Sequence, residues 1–261
     1  MISRYHQIFP EDYNRYFEPF LGGGSAFFYL RPQHATISDI NADLINAYRM
    51  MAQNPARLRV HLEEHQMNHS EQHYYDVRDN VPEDALARAA RFLYLNRTCF
   101  NGMYRVNLLG HFNVPKGTKN YFIDDIDLFE EYSLVLRNVH IRTQDFVNTI
   151  RDANEGDLIF ADPPYTIAHN QNSFIKYNER LFSWKDQKRL LKALMRARER
   201  GAIIIATNAN YPALQKMYQE EDFYTQTLSR FSPISGLAEG RGNQEELLIS
   251  SYPIKLREEI R

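Results

Sequence analysis

Short apolar runs alternate along the chain with longer segments of helical periodicity. The strand-like runs cover residues 16–20, 36–39, 140–144, 158–161, 202–206 and 246–252. Helical periodicity covers residues 42–51, 83–95 and 184–200. Short strands that alternate with amphipathic helices are typical of a parallel α/β sheet. The pattern therefore predicts an α/β fold.

Local signals mark the ends of two predicted helices. Ser183 precedes the helix at 184–200 as a candidate N-cap, and Asp186 follows three residues later in a weak form of the capping box. Gly201 is placed to end that helix. Pro82 suits the first position of the helix that is predicted from residue 83.

The alternation is interrupted between residues 54 and 137, where no clear βα unit appears. We therefore predict one domain formed by residues 1–53 and 138–261, and a second, inserted domain of residues 54–137. From residue 85 to residue 122 the chain has no acidic residue, but it has the basic residues Arg88, Arg91, Arg97, Arg105, Lys116 and Lys119. Interleaved aromatic and basic residues favour phosphate contact, although an ordinary solvated face has the same composition.

Composition limits the class of protein. The net charge is −2, so a nucleic-acid contact has to come from a local basic face. A single cysteine, Cys99, excludes an internal disulfide and favours a reducing cytoplasm. No leader pattern opens the chain, and no apolar run has the length of a membrane span. We expect a cytoplasmic protein without a membrane partner.

A carboxylate and two prolines follow the apolar run at 158–161 and read Asp162-Pro163-Pro164-Tyr165. Open α/β sheets bind their ligands beyond the carboxyl ends of the strands. The prolines stiffen the turn and have no backbone N–H to donate. A carboxylate, a proline carbonyl and an aromatic ring in such a turn can hold a planar base by its amino group.

A glycine-rich turn and an acid follow the first two predicted strands. Residues 20–25 read Phe-Leu-Gly-Gly-Gly-Ser, which allows close approach to a ligand but also suits a simple tight turn. The spacing of a dinucleotide or triphosphate loop is missing. Asp39 is placed to accept hydrogen bonds from ribose hydroxyls, or to cap the helix that begins near Ala42. Together these signals favour an adenosine-containing ligand held by its sugar.

Two further patterns lie in the predicted insertion. Four histidines, His61, His65, His69 and His73, recur every four residues and would share one face of a long helix. No cysteine or carboxylate cluster accompanies them, so we favour a solvated face and predict no metal. Residues 101–105 and 113–117 predict a turn-rich hairpin that presents asparagine and arginine, which pair with adenine and guanine edges.

These motifs, in this order over residues 16–252, resemble the Dam-type DNA adenine methyltransferases. The cofactor loop of that family is similar to residues 18–25, its ribose-binding acid to Asp39 with Ile40, and its adenine-binding pair to Asp145 with Phe146. The catalytic motif is similar to residues 162–165 and the recognition hairpin to residues 96–115. Arg241-Gly242 and residues 245–249 are similar to the closing hairpin of the family.

The resemblance implies a three-layer α/β fold of the S-adenosylmethionine-dependent methyltransferase (Rossmann-like) type, with an inserted, mostly helical target-recognition domain and a β-hairpin. It implies methylation of the exocyclic amino group of a flipped adenine in double-stranded DNA, in a GATC-like site. The implied catalytic residues are Asp162, Pro163, Pro164 and Tyr165. The implied cofactor residues are Glu18, Phe20, Gly22, Gly24, Asp39, Ile40, Asp145, Phe146 and Asp162. The implied DNA-binding residues are Arg97, Asn101, Met103, Arg105, Asn113, Pro115 and Lys116.

The resemblance also implies a bacterial or phage-encoded monomer, or a dimer on DNA, that acts alone or in a restriction-modification system. Two alternatives stay open. Related turns with Asn or Ser in place of Asp162 methylate glutamine or cytosine, although the acid and the basic hairpin favour adenine. Family members usually open with a Trp-Ala-Gly-Gly-Lys segment that helps to hold the cofactor, and this chain begins after that point. The second alternative is therefore a DNA-binding homologue with weakened or lost catalysis.

Overall fold

The computed structural model describes residues 6–103, 105–107, 110–122, 129–164, 182–232 and 242–254. The chain forms two compact units. Unit 1 comprises Met1–Ile40 and Gln144–Arg261, and unit 2 comprises Asn41–Thr143. The roles of catalysis and DNA recognition that we assigned to the two predicted domains stay predictions.

The described residues contain seven strands and nine α-helices. The strands are β1 (Tyr16–Glu18), β2 (Ala35–Asp39), β3 (Val139–Thr143), β4 (Leu158–Ala161), β5 (Ile203–Ala209), β6 (Tyr224–Ser232) and β7 (Gly242–Ser250). The helices are α1 (Ser25–Leu30), α2 (Ala42–Gln53), α3 (Pro55–Met67), α4 (Glu71–Asp79), α5 (Ala85–Thr98), α6 (Phe129–Leu136), α7 (Phe146–Arg151), α8 (Trp184–Glu199) and α9 (Pro212–Gln219). Short 3-10 helices cover His6–Ile8 and Phe100–Gly102. None of these helices is long and apolar enough to cross a membrane.

The strands of unit 1 form a mostly parallel sheet in the order β2-β1-β4-β5-β7-β6. Strand β1 is parallel to both β2 and β4, and β4 is parallel to β5. Strand β7 runs antiparallel between β5 and β6. The predicted α/β fold is confirmed. Strand β6 was not predicted, because Leu228 is the one buried residue among its described side chains and the strand lies at the edge of the sheet.

Alternate side chains of the central strands are buried on opposite faces of the sheet. The core on one face is formed by Phe17, Ile159 and Ile204 from the strands, Ile150 from α7, Leu190 and Leu194 from α8, and Leu214 from α9. On the other face Tyr16 contacts Phe27 of α1, with ring centroids 6.5 Å apart. Phe160 contacts Phe9 there at 5.5 Å. The sheet of unit 1 is therefore covered on both faces. Helices α7, α8 and α9 cover one face, and α1 and the segment around Phe9 cover the other.

Helix α8 begins at Trp184 as predicted and ends one residue before its predicted end, at Glu199. The Ser183 hydroxyl accepts a hydrogen bond from the Asp186 N–H at 3.2 Å, and the Asp186 carboxylate accepts one from the Ser183 N–H at 3.0 Å. The capping box is thus complete rather than weak. Beyond the helix end, Gly201 adopts a φ of 87°, which suits glycine.

Unit 2 is mostly helical, with α2 to α6 followed by β3. Helix α2 begins at Ala42 as predicted, but the expected cap of α2 and the expected start of α5 are wrong. Asn41, and not Asp39, caps α2, since its side chain accepts hydrogen bonds from the next turn at 3.1 and 3.2 Å. Asp84 caps α5 by accepting from the Ala87 N–H at 2.8 Å, so Pro82 precedes the cap instead of opening the helix.

We expect Leu194→Ala to lower the free energy of unfolding by about 2–5 kcal/mol, because Leu194 is fully buried between α8 and the sheet. Urea unfolding monitored by circular dichroism measures the change. Lys192→Ala, at an exposed position of the same helix, serves as the control and should stay within about 0.5 kcal/mol of wild type. Equal losses for the two variants would contradict the packing of α8.

Candidate active site

Three acidic residues lie at the carboxyl ends of adjacent parallel strands in unit 1. Glu18 ends β1, Asp39 ends β2, and Asp162 follows β4. Because β1 is parallel to both neighbours, these three strand ends meet at one edge of the sheet. A cavity of about 410 Å³ opens at that edge, within the range of small-molecule sites.

Most of the predicted cofactor and catalytic residues line this cavity, and they are Phe20, Gly22, Asp39, Ile40, Asp145, Phe146, Asp162, Pro163 and Pro164. Glu18 and Gly24 do not line it. Tyr165 lies outside the described residues. The cavity is also lined by residues that the sequence analysis missed, and they include Pro19, Gln144, Phe182, Asp186 and Arg189.

Aromatic rings form one wall of the cavity. Phe20 stacks on Phe146 with centroids 5.1 Å apart and an interplanar angle of 29°. Phe182 meets Phe20 edge to face at 5.4 Å and lies 5.5 Å from Phe146. Flat apolar rings of this kind suit a planar ligand ring. The wall therefore offers apolar faces to a planar ring without specifying which ring it is.

The glycine turn is fixed to the end of β2. The Leu21 N–H donates to the Ser38 carbonyl at 2.9 Å, and the Gly22 N–H donates to Asp39 Oδ2 at 3.2 Å. Gly22 and Gly24 have φ values of 47° and 65°, in the left-handed region that favours glycine. Gly24 is the residue that precedes α1 as its N-cap. The turn and the Asp39 carboxylate are therefore held as one structure.

A second carboxylate, Asp145, is fixed from two sides. It caps α7 by accepting from the Val147 N–H at 2.9 Å. Arg189 donates to Asp145 Oδ2 at 2.9 Å and to Asp186 Oδ1 at 2.8 Å, and its guanidinium lies 4.9 Å from the centre of the Phe146 ring. The spacing of Asp186 and Arg189 on one helix face was visible in the sequence, but their proximity to Asp145 was not.

Glu18 is a buried carboxyl with 2% exposure. The Tyr16 hydroxyl donates to Glu18 Oε2 at 2.7 Å. Burial raises the pKa of Glu18 to about 8; the hydrogen bond from Tyr16 opposes this effect, and the nearby Asp162 carboxylate adds to it. Glu18 is therefore mostly protonated at neutral pH.

Asp162 is held by a residue that the sequence analysis also missed. The Thr207 hydroxyl, on β5, donates to Asp162 Oδ1 at 2.6 Å. Pro163 is buried and Pro164 is exposed. The predicted turn therefore begins with a supported carboxylate at the edge of the cavity.

The predicted hairpin of unit 2 is present as two antiparallel bridges, Cys99 with Lys116 and Val106 with Phe112. The Phe100 N–H donates to the Pro115 carbonyl at 2.9 Å. A Cβ added at Gly117 would lie 2.6 Å from the Cys99 carbonyl oxygen, so only glycine fits there. This close backbone contact fixes the segment that carries Asn113 and Pro115.

The predicted DNA-binding residues all lie in unit 2 and differ in exposure. Arg97, Asn101, Arg105, Asn113 and Pro115 are exposed, whereas Met103 and Lys116 are half-buried. Arg105 Nε donates to Asn113 Oδ1 at 3.0 Å, and its guanidinium also donates to the Asn113 carbonyl at 3.3 Å. The Arg105 side chain is therefore oriented by the opposite arm of the hairpin.

Two of the basic residues that suggested phosphate contact have internal partners. Arg91 is 7% exposed and donates to the carbonyls of Val77 and Arg78 at 2.7 and 2.5 Å. Arg88 pairs with Asp43 at 2.7 Å. The interpretation of the whole basic stretch as a phosphate-binding surface is therefore wrong for Arg91, and Arg88 is engaged by an acid.

The four histidines do not share one helix. Helix α3 ends at Met67 and α4 begins at Glu71, so the regular spacing spans a break. His65 stacks on Tyr94 with centroids 4.8 Å apart, and burial lowers the pKa of His65 to about 4. The interpretation as a solvated face is wrong for His65. Among the described residues no group of three or more His, Cys, Asp or Glu side chains is placed to hold a metal ion.

A mostly parallel α/β sheet with a cavity at its strand ends defines the class of open α/β proteins that bind ligands at the carboxyl edge of the sheet. The model of the D12 class N6 adenine-specific DNA methyltransferases matches residues 2–230. The chain therefore belongs to the family of D12 class N6 adenine-specific DNA methyltransferases.

Curated relatives agree with this family. The Type II methyltransferase M1.LlaDCHI of Lactococcus lactis subsp. cremoris is 35% identical over 97% of this chain and 91% of that protein. The DNA N-6-adenine-methyltransferase of Escherichia phage P1 is 33% identical over 95% of this chain and 33% of the phage protein. A DNA adenine methylase of Vibrio cholerae is 31% identical over 90% of this chain and 86% of the relative.

We expect Glu18→Gln to flatten the pH dependence of the free energy of unfolding between about pH 5 and pH 8. The folded protein keeps the Glu18 proton up to a pKa of about 8, whereas the ordinary value is 4.5. In this range unfolding releases the proton, so the contribution of Glu18 to wild-type stability falls as the pH rises. Urea unfolding at several pH values measures the slope. Glu11→Gln, at an exposed position, should keep the wild-type slope, and the same slope in Glu18→Gln would refute the assignment.

Proposed function

We propose that this protein transfers the methyl group of S-adenosylmethionine to the exocyclic amino nitrogen of a specific adenine in double-stranded DNA. The observation that carries the proposal is the Asp162 carboxylate, which follows buried strand β4 and lines one cavity with Asp39 and the glycine turn. Membership of the adenine-specific family supports adenine in DNA as the acceptor.

The residues of the cavity fit S-adenosylmethionine in their chemistry. Asp39 is the acceptor that ribose hydroxyls require at the end of the second strand. Phe20 and Phe146 provide apolar ring faces for an adenine, and Asp145 lies beside them. The left-handed backbone at Gly22 and Gly24 shapes the glycine turn at the same edge, where Gly22 lines the cavity. When bound, this cofactor supplies an electrophilic methyl group on a positively charged sulfur.

The amino nitrogen of adenine is a poor nucleophile, because its lone pair is delocalised into the ring. We propose that the target base is flipped out of the duplex, as enzymes that act on bases require. Asp162 and the Pro163 carbonyl then accept the two amino hydrogens and favour tetrahedral geometry at the nitrogen. The Asp162 carboxylate also stabilises the positive charge that develops there. Tyr165 is assigned to stack on the ring by resemblance to the family.

Sequence recognition is assigned to the hairpin of unit 2. Asn101, Met103, Arg105 and Pro115 are the residues proposed to contact bases, in a GATC-like target. The exposure of Arg105 and its orientation by Asn113 support this role. Arg97 and Lys116 would contact the DNA backbone. We propose that the protein acts as a monomer in the cytoplasm, where its DNA substrate is found.

We expect Asp162→Ala to abolish methyl transfer to DNA, because the amino group loses its charged acceptor. Incorporation of a labelled methyl group into duplex DNA measures the activity, and circular dichroism checks the fold. Glu199→Ala, which removes an exposed carboxylate from α8, should retain full activity. Wild-type activity in Asp162→Ala would refute the proposed function.

We expect Arg105→Ala to relax the sequence preference of methylation by about 1–3 kcal/mol, because a guanidinium paired with a base edge discriminates between bases. Methylation rates on the preferred duplex and on duplexes with one altered base pair measure this preference. Binding to unrelated DNA should change less. Arg57→Ala, at an exposed position of α3, should keep the wild-type preference. An unchanged ratio of rates in Arg105→Ala would exclude base reading by this residue.

A further inference from the structure

The carboxyl ends of β4 and β5 lie side by side. The two strands are parallel, with Ala161 opposite Ala206. The next residues along each strand are Asp162 and Thr207, so the register brings their side chains together. The Thr207 hydroxyl lies 2.6 Å from Asp162 Oδ1. Since a carboxylate only accepts, the hydroxyl donates.

Thr207 is held firmly in this position. Its residue exposure is 5%, and its β-branched side chain has few accessible rotamers. The neighbouring Asn208 points to the opposite side of β5, where its amide donates to Gln187 Oε1 of α8 at 3.0 Å. Asn208 and Gln187 are both fully buried. This pair anchors the end of β5 to α8, so the Thr207 hydroxyl projects from a fixed backbone.

Two prolines, Pro163 and Pro164, follow Asp162 in the turn after β4. An aspartate that caps a helix accepts hydrogen bonds from the next backbone N–H groups. Pro163 and Pro164 have no backbone N–H, so the two positions after Asp162 cannot supply such donors. The Thr207 hydroxyl on the neighbouring strand is a donor that restricts the rotation of the carboxylate about its side-chain bonds.

We propose that Thr207 is a positioning residue for methyl transfer, which holds the Asp162 carboxylate in the orientation that accepts the amino group of the target base. Thr207 acts through Asp162 and does not itself contact the base. The inference rests on the proposed function of Asp162. It predicts that the hydroxyl, and not the shape of the Thr207 side chain, matters for the reaction rate.

The kinetic test compares Thr207→Val, which keeps the shape without the hydroxyl, with Thr207→Ser, which keeps the hydroxyl. We expect Thr207→Val to lower kcat by about 10- to 100-fold, because a misoriented catalytic group loses rate, while KM for duplex DNA stays within about twofold. Thr207→Ser should remain within about threefold of the wild-type kcat. Equal losses in the two variants, or a wild-type kcat in Thr207→Val, would overturn the proposal.

A matched control removes a threonine hydroxyl elsewhere in the same sheet. Thr225 on β6 accepts a hydrogen bond from the Gln219 side chain at 2.7 Å. Thr225→Val should leave kcat unchanged, and a loss as large as in Thr207→Val would show a general effect on the sheet and overturn the proposal. Should Thr207→Val fail to fold, Thr207→Ala removes the hydroxyl without adding a methyl group, and the same expectations apply to it.

Crystal structures of the Thr207 variants test the positioning of the Asp162 carboxylate without an activity measurement. We expect the Asp162 carboxylate to rotate or occupy two orientations in Thr207→Val, and to keep its orientation in Thr207→Ser. A single unchanged orientation in Thr207→Val would overturn the proposal.

The two measurements together separate failure of the proposed function from failure of the positioning. If wild type does not methylate DNA but Asp162 rotates in Thr207→Val alone, the proposed function fails and the positioning by Thr207 stands. If Asp162→Ala is inactive and Thr207→Val is fully active, the function stands and the positioning fails.

Discussion

Parallel pairing of β1 with β2 on one side and β4 on the other is the constraint on which the site depends. Its register sets Phe17 opposite both Thr36 and Ile159. A slip of one residue would turn every side chain of β1 to the opposite face. It would move Phe17 away from Ile159 and Leu190 to the opposite face of the sheet and displace Glu18 from its place at the strand end. The alternation that buries the core therefore also positions the acids of the site.

The same burial decides how charge is distributed at the strand ends. Burying two neighbouring carboxylates costs folding free energy, and this cost falls when one of them holds a proton. Glu18 is the fully buried member, and its pKa of about 8 leaves it mostly neutral at pH 7. The hydrogen bond from Tyr16 reduces the cost of burial for Glu18 without removing it. The acids that line the cavity itself are half-buried and not fully buried.

The parts of the molecule that the sequence predicted are those encoded by local patterns. Strand β4 has its predicted bounds, the capping box at Ser183 is present, and the motifs that follow β1, β2 and β4 meet at one cavity. The parts that were missed depend on contacts between distant segments. Thr207 reaches a residue 45 positions away, and Arg189 reaches one 44 positions away. Strand register determines the Thr207 contact and helix packing the Arg189 contact, and neither is visible as periodicity.

The composition of the acid-free stretch overstated the charge that it leaves available to a ligand, for a physical reason. A guanidinium has five N–H donors, and burial requires that they find acceptors. Arg91 donates to two backbone carbonyls, and one terminal N–H of Arg88 donates to Asp43, although Arg88 Nε is buried without a hydrogen-bond partner among the described residues. Basic residues in an acid-free stretch can thus serve the fold instead of a ligand. In a chain of net charge −2, the number of basic residues in this stretch is therefore a poor measure of a phosphate-binding surface.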